Sequence, residues 1–205
     1  MIWWLKTNRI VLVLLLSLGV GALTPFAQGG ITLPAIGALN PFSSLPLAAI
    51  LPLIPLVAVG AARAHAAPVS ALAATRRLDR MGIGVLVAVC GMFLAGASLV
   101  GLAGTGTPID AVRNVLLCAA LQALATCLIP LRYAMLPAVL YVLASGVFGR
   151  AAGGDARWWA QPVAEASPSS LQAAAALFVV VAVIACLRLP PTVPSPRRTL
   201  NRLFR

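Results

Sequence analysis

The chain has 205 residues, of which 61% are hydrophobic and 9% charged, against about 25% charged residues in soluble domains. Such a chain has too little polar surface to cover itself in water, which excludes a soluble globular domain and makes lipid its solvent. Its net charge of +11 comes from 15 Lys and Arg against four acids. These cations lie in short segments between apolar runs, where they set membrane orientation, and no soluble basic domain is left to bind nucleic acid.

A spanning helix needs about 20 mostly apolar residues to cross a hydrocarbon core of roughly 30 Å. Six segments meet or approach this and predict an all-α, polytopic transmembrane bundle forming one domain over residues 1–205. The first covers residues 8–25, with Trp3 and Trp4 before it as an interfacial anchor. Lys6 and Arg9 ahead of an apolar run ending in Phe26-Ala27-Gln28 give it a loose likeness to a secretory signal. Removing it would leave five spans and break the charge pattern, so it is read as an uncleaved helix. Residues 28–44 are uncharged and broken by Gly29, Gly30, Pro34 and Pro41. They are expected as an outer loop in the interface or a re-entrant piece.

The second segment, 45–62, contains Pro46, Pro52 and Pro55, which implies either a tolerated kink or a hinge lining a cavity. An inner loop over 63–80 follows, with His65 as a solvated loop residue. Arg76, Arg77 and Arg80 in that loop suit a surface facing anionic headgroups or a docking surface for a cytoplasmic partner. The third segment, 81–102, carries Gly84, Ala88, Gly91, Ala95 and Ser98 at steps of four and three. This small-residue stripe permits close approach by another helix, in this chain or in a partner.

The fourth segment, 109–127, holds Asn114, Cys118, Gln122 and Thr126 at steps of four, with Asp110 and Arg113 at its outer end. A lipid-facing amide is costly, so this polar ridge should face protein or a wet cavity, as glue between helices or as a translocation path. Arg113 is expected to snorkel outward or to pair with Asp110. The fifth segment, 133–148, is short for a span and is separated from the fourth by a tight connection containing Arg132. The loop 150–170 places Trp158 and Trp159 at the outer headgroup level, and Ser169 or Ser170 can cap the sixth segment, 171–189.

With the N-terminus inside, 12 of the 15 basic residues fall on cytoplasmic segments, including the tail from Arg197 to Arg205. Arg113, Arg150 and Arg157 fall outside, beside Asp110, Asp155 and Glu165. Six spans with both termini cytoplasmic therefore satisfy the positive-inside rule. An odd number would put the basic tail outside.

The residues also narrow the chemistry. Lys6 is the sole lysine, so no G-x-x-x-x-G-K-[ST] phosphate loop exists. One histidine and four scattered acids, Asp79, Asp110, Asp155 and Glu165, provide neither a metal pair nor an intramembrane proton relay. The four cysteines lie in apolar runs without a C-x-x-C spacing and read as small hydrophobes, not zinc ligands. No catalytic residue, metal or cofactor is expected.

Three stretches carry a resemblance: SALAATRRLDR at 70–80, Arg113-Asn114, and the run from residue 130 through Trp159 (PLRYAMLPAVLYVLASGVFG and ARWWAQP). Together they resemble small actinobacterial membrane proteins, the permease-like components of ABC transporter systems. The resemblance covers about two thirds of the chain and implies an inner-membrane permease-like subunit of a transport or export system. It further implies a separate ATPase and a second membrane subunit as partners. An accessory or scaffold membrane protein with no transport path of its own is the alternative expectation, since packing stripes and polar glue serve it equally well.

Overall fold

Away from water, backbone N–H and C=O groups must pair within the chain, and an uninterrupted apolar run does so as a helix. The computed structural model follows this rule throughout. It describes residues 9–27, 32–34, 44–72, 76–102, 108–129, 133–151 and 154–188. The helices are α1 (Ile10–Ala27), α2 (Leu47–Ile50), α3 (Leu53–Leu72), α4 (Arg76–Val100), α5 (Ile109–Leu128), α6 (Leu136–Phe148) and α7 (Pro168–Arg188). A 3-10 turn, Gln161–Val163, lies between α6 and α7. Between α1 and α2, β1 (Thr32–Pro34) pairs antiparallel with β2 (Ser44–Pro46), Thr32 opposite Pro46. The broken segment 28–44 thus contributes a short hairpin, the sole ladder among the described residues, to an otherwise helical fold.

Four helices are long and apolar enough to cross a membrane: α1, the Gly82–Val100 part of α4, α5, and the Pro168–Leu187 part of α7. The other two expected spans correspond to shorter apolar helices, Leu47–Ala62 and Leu136–Phe148. The expected inner loop over 63–80 is largely helical, because α3 runs on to Leu72 and α4 begins at Arg76. Alanine and arginine are strong helix formers, and a helix continues past the apolar window that hydropathy detects.

Prolines explain the irregular helical places. Pro25 inside α1 has no N–H to give to the Gly21 carbonyl, and the Thr24 hydroxyl donates to that carbonyl instead, at 2.6 Å. At the α2–α3 break, Pro55 leaves the Leu51 carbonyl without its helical donor, and the Ile54 N–H fills the place at 3.2 Å. Helix α7 starts with a reciprocal cap: Ser170 N–H donates to Ser167 Oγ and Ser167 N–H to Ser170 Oγ, with Pro168 in the first helical position. The capping residue is therefore Ser167, not Ser169 or Ser170 alone; Pro168 sets the boundary earlier than the apolar pattern does.

Two helix pairs run parallel. Ser17 Oγ of α1 donates to the Val89 carbonyl of α4 at 2.7 Å. One turn on, Gly21 lies against the Phe93 carbonyl, and Gly96 lies against the Leu18 carbonyl. These partners advance together along both chains, so α1 and α4 point the same way, in the most extensive helix contact of the molecule. Helices α5 and α7 also pack together along their length, with their starts tied by Ala166 N–H donating to Asp110 Oδ1 at 2.7 Å. Helix α6 runs back beside α5. It begins where Met135 meets Gly60 near Gln122 and ends where Gly149 abuts Ala160.

The core forms where these elements converge, around Leu56 and Val59 of α3, Phe93 of α4, Val115 and Ala119 of α5, and Val142 of α6. Of the four long helices α5 is the most buried, and its alanines let its neighbours approach closely. The stripe Gly84, Ala88, Gly91, Ala95 and Ser98 does not take part: all five residues are exposed on the face of α4 that turns away from α1. The chain's own close approach uses Gly21 and Gly96 instead, where a Cβ would strike a carbonyl of the facing helix.

This contrast gives a direct test. Gly96→Ala and Gly21→Ala should each lower stability by about 1–3 kcal/mol through overpacking. Gly91→Ala, with nothing within 4 Å of its new methyl group, should leave it unchanged or raise it by up to about 1 kcal/mol. Thermal unfolding in mild detergent checks all three.

Candidate functional site

The polar side chains of α5 divide between two places. Asp110, Arg113 and Asn114 sit in its first turn and a half, and helical side chains lean toward the N-terminus. There they meet the non-helical strap that leads from residue 157 into α7. Arg113 Nη2 donates to the Ala164 carbonyl at 2.8 Å and to the Gln161 carbonyl. Its Nε makes a long contact, 3.4 Å, with Asn114 Oδ1, and Asn114 Nδ2 reaches the Pro162 carbonyl at 3.4 Å. From α6, the Tyr141 hydroxyl donates to the Trp159 carbonyl at 2.8 Å, and Gln161 Nε2 donates to the Trp158 carbonyl. Ala160, Pro162 and Val163 plug the strap into the core, while Trp158 is 86% exposed.

Arg113 is the largest fully buried side chain in the molecule's described part. It does not snorkel outward; it pairs with Asp110, whose Oδ1 lies 3.8 Å from Nη2 and also accepts the Ala166 N–H. The positive end of the α5 dipole opposes a cation here, and Asp110 in the first turn offsets it. The strap carbonyls supply the remaining negative potential. Arg113 Nη1 nevertheless has no partner and no exposed surface; a buried unpaired polar group costs about 1–3 kcal/mol, and more when charged.

Deeper along α5, Gln122 Nε2 donates to the Leu56 carbonyl of α3 at 3.3 Å, next to Gly60, while its Oε1 is buried without a partner. Cys118 is fully buried between these two places. Thr126, half-buried, donates to the Ala123 carbonyl of its own helix at 2.7 Å. The expected ridge thus faces protein, but its members do not converge on one point. Asn114 serves the strap, Gln122 serves α3, and Thr126 serves α5 itself.

Among the other expected site residues, Arg76, Arg77 and Arg80 form the opening turns of α4, and their side chains lie outside the described set. Trp3, Trp4, Lys6, Arg132 and the tail from Arg197 also lie outside the described residues. Among the described residues, no three His, Cys, Asp or Glu side chains gather as a metal set. The strap and Tyr141 were not anticipated. Their role rests on backbone carbonyls, and the available signal was the Trp-Trp-Ala-Gln-Pro run at 158–162. Comparison with protein-family models, with curated proteins and with solved structures finds no match to the chain.

Replacing Arg113 with Leu would leave the Ala164 carbonyl without that donor and the Gln161 carbonyl with only the Ala164 N–H. Arg113→Leu should cost about 2 kcal/mol of stability and speed hydrogen exchange across residues 160–166. Thr126→Val should change stability by less than about 0.5 kcal/mol, as for a substitution away from interhelical contacts. Thermal unfolding and exchange mass spectrometry of the two variants make the comparison.

Proposed function

We propose that the chain is a six-pass inner-membrane protein with both termini in the cytoplasm, serving as a non-enzymatic accessory or scaffold subunit of a membrane assembly. The observation that carries the role is the engagement of the α5 ridge. Asn114 and Gln122 are buried, and their amides bond the backbone of neighbouring segments. Polar groups used in this way hold helices together in lipid.

Two observations support six crossings. A parallel pair requires the chain to return across the bundle between its members. The chain makes that return between α1 and α4 through α2 and α3, and between α5 and α7 through α6. At 1.5 Å per residue α6 is about 20 Å long, so it crosses a thinned or partly protein-lined region. The distribution of basic residues then puts the α5–α7 starting end, with its strap, on the outer side. The extensive packing of α1 on α4 supports an uncleaved first helix.

A second reading is a permease-like subunit energised by a separate ATPase and paired with another membrane subunit. Arg113 Nη1 and Gln122 Oε1 favour it, because buried orphan atoms on one helix suit a path that hydrates in another conformation.

Purification of the tagged protein in gentle detergent should recover a membrane partner and no stoichiometric ATPase. A co-purifying ATPase with a phosphate loop overturns the accessory role in favour of the permease. In that event Gln122→Leu should abolish transport while leaving insertion intact. Reporter fusions test the topology separately: a C-terminal fluorescent protein should be active and a C-terminal alkaline phosphatase inactive, with the reverse expected after residue 157.

A further inference from the structure

We infer that residues 157–167 form a cap over the start of α5 that lifts as a unit and opens the buried ridge to the aqueous phase. The inference rests on the orientation proposed above for its side of the membrane, but not for the motion itself.

The cap is internally organised. Ala160 N–H donates to the Arg157 carbonyl at 2.9 Å, Val163 N–H to the Ala160 carbonyl at 3.1 Å, and Gln161 Nε2 to the Trp158 carbonyl. These bonds move with it. Its ties to the bundle are mostly of another kind: polar side chains of α5 and α6 reaching cap carbonyls, one cap N–H on Asp110, and a single backbone bond at its first residue, Arg157 N–H to the Gly149 carbonyl at 2.7 Å. Water can replace each of these at an outer surface; of the apolar anchors Ala160, Pro162 and Val163 are small, and Trp159, packed against the core, is already half-exposed.

The closed position also leaves a group unsatisfied. Arg113 Nη1 is buried with neither a partner nor solvent contact, and lifting the cap solvates the whole guanidinium. Closure thus holds a cation in a state that opening relieves, which is how a two-state element is balanced. Both ends of the cap suit a hinge. Residues 155–157 are bonded back to 149–151, through Ala151 N–H to the Asp155 carbonyl and Arg157 N–H to the Gly149 carbonyl, so the near pivot lies at Arg157, and the Ser167 cap of α7 fixes the far end. The exposed Trp158 gives it a handle in the headgroup layer.

Cys118 is a native reporter, fully buried one helical turn below Asn114. The test uses full-length protein carrying Cys90→Ala, Cys127→Ser and Cys186→Ser, with a membrane-impermeant maleimide applied to sealed cells and to inverted vesicles. Its locked counterpart adds Asp110→Cys and Ala166→Cys, adjacent positions whose disulfide ties the cap down. Labelling of Cys118 from the outside is expected, with the lock slowing it about tenfold or more, as for any opening whose population is removed. Reductant should restore the rate. Labelling in inverted vesicles alone, still slowed by the lock, supports the cap and overturns the proposed orientation. No labelling from either side, where denatured protein labels fully, overturns the cap, as does labelling that the lock leaves unchanged. Should the locked variant not fold, hydrogen exchange decides. The Ala166 amide, bonded to Asp110, should exchange at the Cys118 labelling rate, and protection at the level of the α5 core amides overturns the inference.

Discussion

A buried guanidinium reading backbone carbonyls holds together the end of the bundle where α5 and α7 begin. The strap between α6 and α7 is not helical through most of its length, so several of its carbonyls, those of residues 159, 162 and 164 among them, have no backbone donor in a regular element. In a low-dielectric setting each would be costly. Arg113 supplies donors to two strap carbonyls, Asn114 to a third, and Tyr141 to a fourth. Arginine suits the task because its planar fork stays charged and addresses two acceptors with one nitrogen. With the strap fixed, α7 starts beside α5, and the parallel pairing of the two follows. The same interaction sets where α6 must end, since Gly149 abuts Ala160 of the strap.

The other half of the molecule is held differently. Lipid tails are as apolar as leucine side chains, so burial alone gives α1 no reason to prefer α4 over the bilayer. Close backbone approach provides the reason. Gly21 and Gly96 bring each helix against a carbonyl of the other, and Ser17 adds a hydrogen bond across the gap. Parallel pairs need a return element, and in each half that element is the irregular one: α2–α3 broken at Pro52 in one, the short α6 in the other. Both irregular elements meet at Gln122, whose amide reaches α3 while Met135 at the start of α6 packs on Gly60.

The sequence made some of this legible and hid the rest for physical reasons. Hydropathy located all six apolar segments because length and apolarity are properties of side chains. It placed the ends of α3 and α4 too far apart, since helix propensity, not apolarity, carries them toward residues 73–75. The periodic ridge on α5 implies a surface facing protein or a wet cavity, and Asn114 and Gln122 are buried against neighbouring segments. It could not name partners, because those are main-chain carbonyls at 56, 161, 162 and 164, which any residue type presents. The stripe on α4 was the wrong face for the intramolecular contact. Small residues permit close packing at many positions, and which of them is used depends on the facing helix: Gly96, one residue beyond Ala95 of the stripe, meets the Leu18 carbonyl, and Gly21 of α1 meets the Phe93 carbonyl.

The two orphan atoms of α5 bear on how far the bundle can be a passive scaffold. A bundle whose polar groups serve only as glue gains nothing from leaving Arg113 Nη1 and Gln122 Oε1 unpaired, and an apolar residue at either place would remove the penalty. Each also makes a bond that fixes a neighbouring segment, so each side chain is held in place while part of its hydrogen-bonding capacity is left over. That combination suits positions that serve two arrangements of the same helices. Position 113 lies under the strap, and position 122 reaches the first turn of α3, just past its break from α2 at residues 51 and 52. Rigid α1–α4 packing on one side and irregular, carbonyl-bound segments on the other then make α5 the boundary between a fixed half and an adjustable one.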